Sequence, residues 1–72
     1  MSQLKIKFSK RFKYLRKQSG YTQEQLADKI DMAIESVSNI ERAIHGPQFD
    51  NLEKIATVLD VEVKDLFDFD KA

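Results

Sequence analysis

The chain has 72 residues, 12 basic and 12 acidic side chains, one histidine and no cysteine. A chain this short buries only about 60% of its unfolded surface, so it makes one domain, residues 1–72, with a thin core. No disulfide or zinc cluster can brace that core, and no membrane-length or signal-peptide apolar run is present. One proline and two glycines argue against disorder and against a β-rich fold. The expected class is all-α. The lack of cysteine fits a reducing compartment. An enzyme is a poor fit, because no Gly-rich phosphate loop and no H-E-x-x-H or similar metal spacing occurs. No cofactor or metal is implied.

A net charge of zero conceals a strong asymmetry. Residues 1–20 carry Lys5, Lys7, Lys10, Arg11, Lys13, Arg16 and Lys17 and no acidic side chain. Residues 50–70 carry seven acidic side chains against two lysines. A basic end can face phosphate while an acidic end stays away from it. The same run also reads as an ordinary solvated helix face.

Residues 1–7 form a lead-in, either an extended arm or early helix, in which Leu4, Lys5, Ile6 and Lys7 alternate. Helix 1 is expected from Phe8 to Gln18, with Phe8, Phe12 and Leu15 on one face. Ser19-Gly20 ends it, and Gly20 suits a left-handed cap. Thr22 and Gln25 then make a T-x-x-Q capping box, with Tyr21 and Leu26 as its hydrophobic staple. Leu26, Ala27 and Ile30 recur at helical spacing until Asp31, a turn residue that tolerates left-handed backbone. A second stripe of Ala33, Val37 and Ile40 follows. Ile34, Glu35, Ser36, Ser38 and Asn39 fall mostly off it. Two short helices joined this tightly must cross steeply, as in a helix-turn-helix over about residues 22–42.

Arg42 to Gly46 is a loop closed by Gly46-Pro47. A further helix starts between Gln48 and Asp50, and D-N-L-E is itself a capping box. Leu52, Ile55, Ala56 and Leu59 form its buried stripe, and Asp60 ends it. Val61 and Leu66 fit a staple opening a short fifth helix over about Val63 to Asp68. Phe67 and Phe69, among acids near the 69–72 tail, exceed what a thin core needs, and exposed apolar patches mark interaction surfaces. Leu59, Val61, Val63, Phe67 and Phe69 are therefore candidates for self-association or a protein partner. The alternative is that Phe67 closes the monomer core and Phe69 frays.

These pieces resemble the Cro and phage-repressor type of helix-turn-helix regulator, the XRE family. The resemblance rests on FSKRFKYLRKQSGYTQEQLA, SNIER and PQFDNLEKIATVLDVEVKDLF, in that order, and spans roughly Phe8 to Phe67. It implies a compact five-helix, lambda-repressor-like domain with the helix-turn-helix at helices 2 and 3. The chain departs from the family at Asp31 and Ala43, where Gly is usual, and at Ala33, where the second helix usually has a Ser or Thr cap. The resemblance also favours Gln48 over Asp50 as the cap of the fourth helix.

By the same resemblance the second helix of the pair reads base edges through Ala33, Ile34, Glu35, Ser36 and Asn39. Their chemistry suits that role. Asn pairs with adenine, Glu accepts from cytosine N4, and an apolar side chain packs on a thymine methyl. Glu35 also simply complements a helix N-terminus. Thr22, Gln23, Lys10, Arg42 and His45 are the phosphate candidates. Arg16 is either one more cation near phosphate or, as in the family, the ion-pair partner of Glu41. The implied function is transcription regulation by a homodimer reading double-stranded DNA at a palindromic operator, with the protein cytoplasmic, nucleoid-associated and of bacterial or phage origin. A small stand-alone repressor or controller fits. The second reading is an antitoxin-like module that binds a protein partner on the same scaffold.

Overall fold

The computed structural model describes residues 3–70. Four α-helices run in chain order, α1 (Gln3–Gln18), α2 (Gln23–Lys29), α3 (Ile34–Glu41) and α4 (Phe49–Leu59), followed by a 3₁₀ helix at Val63–Phe67. The all-α expectation holds. The fifth helix is a single 3₁₀ segment, because Asp68 already leaves helical backbone at ψ 83°. Residues 1, 2, 71 and 72 of the lead-in and tail lie outside the described residues.

Helix α1 begins five residues before the expected Phe8. Nothing in Leu4-Lys5-Ile6-Lys7 breaks a helix. The Ser9 hydroxyl donates to the Ile6 carbonyl at 2.7 Å. The core joins Phe8, Phe12 and Leu15 of α1 to Leu26, Ala27, Ile30, Val37 and Ile40 of the α2–α3 pair, and to Ile55, Ala56, Leu59 and Leu66 behind them. Leu52, placed on that stripe by its spacing, is half-buried at its edge.

All four α-helices stop in the same way. Within two residues of each helix end the backbone takes a left-handed conformation, and two backbone N–H groups fold back onto the last turn. At α1 the turn residue is Gly20, at φ 80°. At α2, α3 and α4 it is Asp31, Ala43 and Asp60, at φ 57°, 60° and 58°. The Met32 N–H donates to the Ala27 carbonyl at 2.9 Å and the Ile44 N–H to the Asn39 carbonyl at 2.9 Å. The backbone thus demands a glycine-like conformation where the chain departs from the family's Gly. Asp can bond locally in this region, whereas Ala gains nothing to offset its Cβ clash. Ala43→Gly is expected to stabilise the fold by about 1 kcal/mol and raise the melting temperature by about 4–8 °C, read by circular dichroism. No rise would show that the α3 C-terminus is not strained.

Gln48, not Asp50, caps α4, with extended backbone and no side-chain bond. Asp50 instead lies in the first turn, where its charge complements the helix dipole.

The five candidates for self-association divide between the core and the surface. Leu59 is 4% exposed, because it completes the α4 stripe in the shared core. Val61 and Phe69 pack against the core as half-buried side chains. Phe67 lies 5.2 Å from the Phe8 ring and 6.2 Å from that of Phe69. Only Val63 and Phe67 of the five remain exposed, at 39% and 37%.

Candidate nucleic-acid interface

The α2–α3 pair is built by its caps and its shared apolar seam. The Gln25 N–H donates to Thr22 Oγ1 at 3.1 Å, and the Thr22 N–H donates to Gln25 Oε1 at 2.9 Å. This is the expected capping box, and it fixes where α2 begins. Thr22 is exposed, and its hydroxyl proton is still available to an outside acceptor. Leu26 and Ala27 of α2 and Val37 and Ile40 of α3 are buried together.

Burying Val37 and Ile40 turns the opposite face of α3 to solvent. Ala33 is the cap residue and makes no side-chain cap bond. Ile34 is 44% exposed. Ala33 and Glu35 are exposed, while Ser36 and Asn39 are half-buried. Ser36 and His45 line one open cleft of about 330 Å³ between α3 and α4. The structure therefore sets Ser36 toward α4, apart from the open side of the helix that carries Ile34 and Glu35. Lys10 is exposed on α1, and Arg42 and His45 are exposed in the loop after α3.

The far end of α3 is tied to α1 and α2 through one carboxylate. Arg16 Nε donates to Glu41 Oε2 at 2.6 Å and Arg16 Nη2 to Glu41 Oε1 at 3.1 Å. The third guanidinium nitrogen, Nη1, donates to the Tyr21 carbonyl at 2.8 Å. Arg16 is 8% exposed. The structure thus brings Arg16 and Glu41 together as a pair and leaves Arg16 little exposed surface.

Gln23 takes part in the same cluster. Its Nε2 donates to Glu41 Oε1 at 3.0 Å. Because a carboxylate only accepts, this contact sets which end of the amide faces inward. One amide N–H is thus engaged, and the other remains for an outside acceptor. Sequence reading missed this bond, since residues 18 positions apart give no local sign of meeting.

Two further basic residues have roles the charge run did not disclose. Arg11 is buried, and its Nε donates to the Asp65 carbonyl at 2.8 Å. Arg11 and Arg16 thus turn inward to brace the fold. Lys5 Nζ donates to the Ile44 carbonyl at 3.4 Å, tethering the loop after α3 to the start of α1. Among the described residues no group of His, Asp or Glu could hold a metal, and no helix is long and apolar enough to cross a membrane.

Two short, tightly joined helices with a polar outward face on the second and a buried clamp at its end fit the architecture of a DNA-reading helix-turn-helix. A helix-turn-helix family model matches residues 12–66. The control protein C.BamHI of Bacillus amyloliquefaciens is 36% identical over 67 residues, covering 92% of this chain and 83% of that protein. The transcriptional regulator SinR of Bacillus subtilis is 42% identical over 59 residues, which is 81% of this chain and 53% of SinR. Among solved structures, the restriction-modification controller protein C.AhdI from Aeromonas hydrophila matches with a TM-score of 0.83 at 35% identity, covering 88% of this chain and 96% of that one. SinR in complex with DNA matches with a TM-score of 0.79 at 40% identity, covering 85% and 98%. The chain belongs to the XRE-type helix-turn-helix family. It is a sequence-specific DNA-binding transcriptional regulator and not an enzyme.

Proposed function

We propose that the whole chain acts as one reading domain that binds a palindromic operator as a homodimer, as a small repressor or controller protein. The observation that carries this reading is the division of α3. Val37 and Ile40 hold the helix in the core, while Ala33, Ile34, Glu35 and Asn39 lie off that seam with base-reading chemistry. The solved DNA complex of SinR, similar over most of this chain, supports the use of this scaffold on a duplex.

Homodimerisation is part of this reading: one copy, 27 × 22 × 21 Å, presents one reading helix, and a palindromic operator offers two half-sites about 34 Å apart, one helical turn.

Each contact class has its own signature. Asn39→Ala is expected to relax base preference at one position per half-site and cost about 1–3 kcal/mol there. Lys10→Ala or Arg42→Ala is expected to weaken all duplexes alike and lower the salt slope by about one. Gln23→Ala also weakens all duplexes alike, but a neutral amide releases no counterion, so its salt slope stays unchanged. Fluorescence anisotropy titrations at several salt concentrations read all three. A site-specific loss on removing Lys10, or an unaltered preference profile without Asn39, contradicts the assigned roles.

A further inference from the structure

Phe49 opens α4 with its side chain in water. At 88% exposure it stands far above every other exposed large apolar residue among those described. The fold offers no reason for it. The inward side of α4 is supplied by Ile55, Ala56 and Leu59, and a first helical position makes no demand for an aromatic ring.

Phe49 stands at the rim of an open groove of about 280 Å³ and forms part of its wall, together with Leu4 and Phe8 of α1, Gly46 and Pro47 of the loop, Leu52 of α4 and Phe67. Leu4 is itself 56% exposed. A projecting ring and an apolar hollow therefore share one face of the molecule. That is the requirement for an isologous contact, in which a two-fold axis seats the projection of each copy in the hollow of the other.

Charge favours the same occupant. Lys5 lines the groove, while Asp50 follows Phe49 and Glu53 comes one turn later. A two-fold pairing that seats Phe49 brings Asp50, in the first turn of α4, toward the charged residue of the partner's groove, its Lys5. Opposite signs meet in both halves of the contact. The face uses α1, α4 and the 3₁₀ helix, so it leaves the reading residues of α3 open.

We infer that Phe49 is the anchor of a two-fold dimer contact and that a second copy of this chain fills the Leu4–Phe8–Phe67 groove. The inference rests on the homodimer part of the proposed function and relocates its interface. Val63 and Phe67 are the members of the earlier candidate surface that stay exposed, and Phe67 forms part of the groove wall.

The test uses the full chain in sedimentation velocity over a wide concentration range, with Phe49→Asp and Leu4→Asp. Both positions are exposed, so thermal melting of dilute monomer should not change. Each variant is expected to raise the dimer dissociation constant about a thousandfold, because symmetry removes the anchor contact twice and each loss is worth about thirtyfold. Mixing the two variants restores one anchor contact, Phe49 of the Leu4→Asp copy in the groove of the Phe49→Asp copy, which lacks only its own Phe49 rim. Heterodimers should therefore form more tightly than either variant self-associates, by up to about thirtyfold. A monomeric wild type, a Phe49→Asp variant that pairs like wild type, or a mixture no tighter than its components would overturn the inference. DNA binding is scored separately. A Phe49→Asp variant that still selects the wild-type half-site leaves the reading function standing whatever the interface, and loss of DNA selection by a dimeric wild type leaves the interface standing.

Discussion

Glu41→Ala is expected to destabilise the domain by about 3–5 kcal/mol, the cost of stranding a buried charge. The charge stranded is Arg16, 8% exposed and held by Glu41 through two of its nitrogens. The Gln23 amide loses its acceptor in the same step. A domain of this size holds only about 4–11 kcal/mol in total, so the variant loses a large share of its stability. Its melting temperature should fall by at least about 12 °C. The burial penalty and the pairing gain of an ion pair nearly cancel, so removing both charges costs less than removing one. Arg16→Met with Glu41→Leu should therefore melt above either single variant. Strictly additive losses in that double-mutant cycle would show that the two side chains do not depend on each other. The clamp also matters for function, since Glu41 ends the reading helix and fixes its angle to α1.

The second large effect is on binding. Ile34→Ala, Glu35→Ala and Asn39→Ala together should abolish most of the preference for the operator over random duplex. Specific recognition is worth about 4–10 kcal/mol over non-specific binding, and each base contact about 1–3. None of the three residues belongs to the buried core, and alanine is the best helix former, so α3 should stay folded. Removing Glu35 also removes a negative charge that repels phosphate. Non-specific affinity is therefore expected to rise while specific affinity falls. These opposite movements separate a reading helix from a helix that merely supports the fold, whose loss would lower both.

What could be read from the sequence was local. Thr22 and Gln25 announce the start of α2 because capping needs only three residues' separation. Asp31 and Asp60 could be placed at helix ends because the apolar stripes stop before them, whereas Ala43 was placed there by the family resemblance. The Arg16–Glu41 pair was accessible only through the family resemblance, since 25 positions separate the two. Its third member, Gln23, was placed at phosphate without its inward bond. The start of α1 was read late because Leu4-Lys5-Ile6-Lys7 has the alternation of an extended segment as well as the composition of a helix. The choice between Gln48 and Asp50 stayed open because the cap there is set by the preceding loop and carries no side-chain bond. Leu59 and Phe49 show the limit most clearly. Both are apolar residues on one helix, and their spacing does not disclose that the first has neighbours on every side and the second almost none.

The central claim is that the open face of α3 reads base sequence, and selection from a random duplex pool tests it most directly. Wild type and the Ile34/Glu35/Asn39 triple-alanine variant would be taken through selection in parallel, with helix content checked for both. The account predicts a palindromic consensus for wild type that the folded variant fails to enrich. The same consensus from both proteins, or none from a folded wild type, would contradict it.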